Sequence, residues 1–153
     1  IAIDDATELS AGWYWQFNRK QGYKHDGSNR IPISIWNSAI DENSNWTAAN
    51  DPCTILLGSG WRIPTDTEWN NVDSNGGWGN YNDAYSYVLK MHAAGFLKFE
   101  DGTFDSRGYS GFYWSSTQTD NIYGWYLWFY EYSSYHSTLE EKSNGLPLRC
   151  LKD

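Results

Sequence analysis

One methionine and few leucines among 153 residues leave little material for a coiled coil, and a composition 40% hydrophobic and 18% aromatic does not suit a disordered chain. Cations are scarce too: 11 Lys and Arg stand against 19 Asp and Glu, a formal charge of -8. That field repels a nucleic-acid backbone and an anionic bilayer, so no nucleic-acid partner is expected. No apolar run approaches the ~20 residues that carry a helix across a membrane, so no membrane insertion of this domain is expected. Internal repeats and low-complexity tracts are absent.

Catalytic and metal signatures are also missing. His25, His92 and His136 are scattered, without a His-Glu-x-x-His pair or paired Cys spacing, so no zinc site is expected. No Gly-x-Ser-x-Gly elbow occurs, and Gly58-Ser59-Gly60 reads as a turn before Trp61. Glu140 and Glu141 would point to opposite faces of an extended segment, which does not suit a glycosidase pair. The expectation is a domain that is not an enzyme. The two cysteines, Cys53 and Cys150, would close a loop of about a hundred residues if oxidised, for which chain entropy gives roughly 4 to 5 kcal/mol; two buried free thiols are the alternative.

What the chain does have is aromatic side chains, concentrated in one place. From Tyr123 to His136 eight rings fall in fourteen residues. Strand alternation sends Tyr123, Trp125, Leu127 and Phe129 to one face and Tyr126, Trp128, Tyr130 and Tyr132 to the other. The first set is expected to be core. The second set, tipped with hydroxyl and indole N–H groups, is expected to be an exposed ligand-binding face, because amphipathic rings give a large contact area at low entropic cost. Tyr135 and His136 in the following loop would extend it, and Tyr113 joins if its strand is a neighbour.

The rest reads as one domain over 1–153. Trp13 to Phe17 is an early strand, Asn18 to Arg30 a loop, and Ile31, Ile33 and Ile35 a short edge strand interrupted by Pro32. Asp41 to Asp51 reads as an acidic loop. Thr65 with Glu68 forms a capping box that starts a helix bearing Trp69 and Val72 on its core side. Asn82 or Asp83 caps a second helix carrying Ala84, Tyr87, Val88 and Met91 until Gly95 stops it. Asp101-Gly102 marks a two-residue hairpin, followed by strands over 111–117, the aromatic stretch and 146–151. The absence of an initial Met and the acidic start (Asp4, Asp5, Glu8) suggest a trimmed or mature chain.

Three motifs occur in order: Asp51-Pro52-Cys53 leading to Gly60-Trp61-Arg62-Ile63-Pro64-Thr65 and Glu68-Trp69, then Gly111-Phe112-Tyr113-Trp114-Ser115-Ser116-Thr117, then Gly145-Leu146-Pro147-Leu148-Arg149-Cys150. Together they resemble the Fibrobacter succinogenes major paralogous domain family of bacterial secreted and surface proteins. Thr54, where that pattern often has Pro, and Leu146-Pro147 depart from it. The resemblance implies an α+β, C-type-lectin-like domain with two helices packed on antiparallel strands and long loops. It implies that Cys53 pairs with Cys150, and that Trp61, Trp69 and Trp114 are structural. Domains of that fold also serve as variable proteins of diversity-generating retroelements, and Gln118 to Asn144 is rich in the residue types those proteins diversify.

These observations set the functional expectation: a non-catalytic extracellular or cell-surface recognition and adhesion module that holds a glycan or a protein ligand. Two alternatives stand beside it. A calcium-dependent lectin would need 6 to 8 convergent oxygen ligands. Only Asp41, Glu42, Asn43 and Asn45 suggest them, and the lectin signatures Glu-Pro-Asn, Gln-Pro-Asp and Trp-Asn-Asp are absent. No other cofactor is expected. The second alternative is a structural or assembly domain of a larger surface protein.

Overall fold

A computed structural model describes residues 12–153; the acidic start around Asp4, Asp5 and Glu8 lies outside it. Among the described residues the architecture is mostly β, with eleven strands in three sheets and 16% helix. This overturns the C-type-lectin-like α+β expectation of two helices packed on antiparallel strands. The second expected helix is one reason. It is capped by Asn80 and spans only Tyr81–Ser86, because Tyr87 turns to extended backbone. Val88 then lies exposed, and Met91 reaches the core from an irregular segment.

One antiparallel sheet has the order β3-β2-β1-β10-β5-β6, from Arg30–Ile31, Gly22–His25, Tyr14–Gln16, Gly145–Leu146, Phe96–Leu97 and Phe104–Asp105. The segment expected as a loop from Asn18 thus contributes β2 and β3. The expected edge strand stops at Ile31, leaving Ile33 and Ile35 exposed. The turn at Asp101-Gly102 joins β5 to β6 through six residues rather than two, since Leu97 pairs with Phe104. A two-stranded ladder pairs β4 (Trp61–Arg62) with β11 (Leu151–Lys152), so the closing segment divides between two sheets. The third sheet, β7-β8-β9, comprises Ser110–Gln118, Tyr123–Tyr130 and Ser134–Glu141.

The third sheet is the middle layer. One face, through Phe112, Trp114 and Tyr126, packs with Phe17, Ile63 and Leu146. The other, through Tyr113, Leu127 and Phe129, packs with Trp69, Trp78, Ala84 and Met91. Glycine makes room for these rings: a Cβ on Gly111 would lie 2.1 Å from Cζ of Phe129, its cross-strand partner.

The helical side starts from a hydrogen-bonded corner. Helix α1, Pro52–Leu57, was not foreseen; the buried Asp51 caps it, one oxygen accepting from Cys53 N at 2.8 Å and the other from Ile63 N at 2.9 Å. Helix α2, Asp66–Gly76, begins at the expected Thr65–Glu68 capping box. Helix α3 is Tyr81–Ser86. Arg62 grips Glu68 through two bonds of 2.7 Å and holds its carboxyl down at about 2. Cys53 and Cys150 form a disulfide that ties α1 to the chain just before β11. Trp69 and Trp114 are fully buried, the Trp69 indole donating to the Trp114 carbonyl at 3.0 Å, and Trp61 is half-buried. No helix among the described residues is long and apolar enough to cross a membrane.

Candidate functional site

The aromatic stretch forms strand β8 and the turn after it, but both faces of β8 are packed. Alternation correctly separates two sets of residues, yet it does not say what covers each set. Tyr126 is 5% exposed, stacked on Phe112 at 5.8 Å, and burial with nearby Glu140 pushes its hydroxyl well above the usual range. It belongs to the interior rather than to an outward face. Tyr113 is also buried, its hydroxyl donating to the His92 carbonyl at 3.0 Å and accepting from His92 N.

Beyond Tyr126 the strand runs out from under its cover. Trp128 stacks with Phe112 at 6.4 Å, with Tyr130 at 4.8 Å and with Tyr135 at 5.2 Å, all within about 20° of parallel. Tyr135 comes into this row because it pairs with Trp128 across the β8–β9 ladder. The neighbouring Tyr135 hydroxyl raises the Tyr130 hydroxyl above its ordinary range. Tyr132 stands at 82° to Tyr130, 75% exposed, and the neighbouring Glu131 carboxylate raises its hydroxyl. Four of the expected residues, Trp128, Tyr130, Tyr132 and Tyr135, are therefore gathered at one end of the sheet. Tyr109, 76% exposed, precedes the residue that pairs with Tyr130 and shares that end.

His136 takes the opposite face. A register shift in β9, where Ser137 adopts φ 54°, separates the Tyr126–Thr138 and Trp128–Tyr135 pairs. His136 Nδ1 lies 2.9 Å from an oxygen of Asp73, whose other oxygen accepts from Ser134 Oγ at 2.5 Å. Ser134 Oγ is also 2.7 Å from the Trp78 carbonyl. In a nucleophilic triad the hydroxyl faces the imidazole, whereas here hydroxyl and imidazole both face the carboxylate. This cluster anchors the start of β9 to α2. Sequence reasoning missed Asp73; the available signal was an acid four residues beyond Trp69, on the same helix face.

Three of the four residues considered for calcium have their oxygens engaged within the protein, while Asp41 is exposed. Glu42 accepts from Asn18 and Arg19, and Asn43 and Asn45 both accept from Gln118. Among the described residues no group of three or more His, Cys, Asp or Glu side chains forms a metal cluster. Lys142, fully buried, directs its ammonium to the Glu42 and Asp120 carbonyls and Gln118 Oε1, 2.6 to 2.7 Å away. That fastens the loop around Glu42 to the β7–β8 turn.

No curated protein and no solved structure matches the chain. A family model described as "Domain of unknown function (DUF8237)" matches residues 71–151, more than half of the sequence, including all of β7, β8 and β9. On that match the chain belongs to the DUF8237 family.

Proposed function

We propose that this domain is a non-catalytic recognition module that holds its ligand on the ring cluster of Trp128, Tyr130, Tyr132 and Tyr135. One observation carries the reading: the stack that begins in the core at Phe112 continues through Trp128 to rings at the surface, with Tyr132 75% and Tyr135 45% exposed. Rings held by one another lose little freedom on binding, which favours affinity. The 97-residue separation bridged by the disulfide supports an oxidising, extracellular setting, as does the resemblance of the Asp51, Gly111 and Gly145 motifs to bacterial surface domains. The C-type-lectin-like fold implied by that resemblance does not carry over.

The test is a binding survey over immobilised glycans and protein surfaces, with calcium and with chelator, comparing the native chain with a Tyr132→Ala, Tyr135→Ala variant. Both rings are exposed, so the variant is expected to keep its near-ultraviolet circular dichroism. Captured ligands should bind it at least ~10-fold more weakly, the loss typical of interface hot spots. Full retention of binding by a folded variant refutes the site. Binding that vanishes with chelator on both chains would favour a calcium-dependent lectin.

A further inference from the structure

We infer that the ligand of this ring cluster is cationic: a peptide segment of another protein that presents arginine or lysine side chains. The inference rests on the binding role proposed above and specifies its chemistry.

The first argument is how charge is distributed. The stretches that build the middle sheet and helices α2 and α3, residues 63–89 and 108–141, contain eight Asp and Glu residues and neither Lys nor Arg. All 11 cations lie elsewhere in the chain. Glu131 and Asp83 are exposed on these stretches, and Glu131 adjoins Tyr132 in the chain. Of the eight, Glu68 is held by Arg62, Asp73 is engaged by Ser134 and His136, and Asp120, Glu140 and Glu141 lie at the far end of the sheet, so the exposed Glu131 beside Tyr132 is the carboxylate that favours an approaching cation over an anion at these rings.

The second argument is how the protein uses its other rings. Among the described residues, cations lie over rings at seven places: Lys24 over Trp13, Arg30 over Tyr23 and Trp36, Lys90 over Tyr85, Arg107 over Phe104, Lys142 over Phe17 and Arg149 over Tyr113. None of these contacts involves Trp128, Tyr130, Tyr132 or Tyr135. The exposed Trp13 already carries an internal cation 5.0 Å from its ring centre, whereas Tyr132, more exposed still, has the neighbouring Glu131 carboxylate instead. A ring quadrupole with an adjacent carboxylate and no internal cation suits a guanidinium or ammonium from outside.

Geometry disfavours a neutral sugar. A pyranose needs a free ring face, and Trp128, Tyr130 and Tyr135 lie nearly parallel and crowded together, with centroids 4.8 to 6.3 Å apart. Tyr132 alone stands out of that stack. An extended peptide carrying cations can reach ring edges, the Tyr132 face and Glu131 together, in the manner of aromatic-rich protein interfaces.

The test uses a labelled twelve-residue peptide of Arg-Gly-Ser repeats, its Lys and Glu counterparts, and fluorescence anisotropy at 50 and 300 mM NaCl. Binding of the Arg and Lys peptides but not the Glu peptide is expected, weakening roughly 10-fold at the higher salt. Binding should fall at least ~10-fold in Tyr130→Ala, Tyr132→Ala and roughly 3-fold in Glu131→Gln, and stay unchanged in Trp13→Ala. Melting temperatures confirm that each variant is folded. No binding of the Arg and Lys peptides, or equal binding by the Tyr130, Tyr132 variant, overturns the inference. If the glycan and protein survey meanwhile yields a ligand that is lost in Tyr132→Ala, Tyr135→Ala, the site survives and only its cationic specificity falls. Loss of neither kind refutes both.

Discussion

Asp51 offers a measurement in which two contributions can be separated by choice of side chain. One oxygen caps α1 and the other accepts from Ile63 N, 12 residues on, with Asp51 only 4% exposed and Ile63 fully buried. Asp51→Ala removes the cap, a loss of about 1 kcal/mol. It also leaves the Ile63 N–H buried without an acceptor, about 1 to 3 kcal/mol more. The sum is about 2 to 4 kcal/mol, or roughly 5 to 15 °C in Tm for a domain of this size. Asp51→Ser keeps a capping oxygen but is too short to serve both ends, so it should lose only the second part, about 1 to 3 kcal/mol. Asp51→Asn keeps the shape and turns an amide N–H toward one of the backbone donors. It should resemble Ser rather than the native residue. Urea denaturation followed by tryptophan fluorescence gives the differences, with unchanged slopes showing that the unfolded states are comparable. If Asn is within ~0.5 kcal/mol of native while Ala loses several, the two-ended role is wrong and Asp51 acts as a cap alone.

Three further outcomes are expected. Replacing both cysteines by serine should lower stability by about 2 to 5 kcal/mol, and thiol titration of the denatured, non-reduced native protein should find no free thiol. Because the folded pKa of Glu68 is held down at about 2, below its ordinary 4.5, its contribution is fully present above about 4.5 and disappears as pH falls toward 2. The pair is about one-third exposed, so screening leaves roughly 1 to 2 kcal/mol, and Glu68→Gln should flatten this part of an acid-denaturation curve. Gly111→Ala should cost about 1 to 3 kcal/mol by displacing the buried Phe129 ring; an unchanged denaturation midpoint would contradict that packing.

What the sequence made legible was local. Thr65 and Glu68 announce α2 because both halves of a capping box lie within four residues. The α1 signal, Asp51 followed by Pro52, is as local but weaker, because the six-residue helix beyond it shows too few turns for a 3.6 period. Tyr87, Val88 and Met91 did have helical spacing, and the structure places them past the end of α3, with Met91 buried and Val88 exposed; apolar spacing over two turns does not distinguish a helix from an irregular segment. The closing segment reads as one strand, but Pro147 offers no N–H, and the chain changes sheets between Leu146 and Leu151.

The aromatic excess has two separate causes. A sheet covered on both faces needs bulk on every strand position, and rings opposed by glycine supply it: Phe129 over Gly111, Phe17 over Gly124. This accounts for Tyr113, Tyr126 and Phe129 without any ligand, and explains why counting rings overstated the binding face. It does not account for the end of the sheet, where no other layer requires Tyr132 or Tyr135 and where burial falls away along an unbroken stack from Phe112. A core that ends in a row of mutually supported rings presents a surface already ordered before anything binds it, so the same packing that consumes most of the aromatics also fixes the few that remain outside.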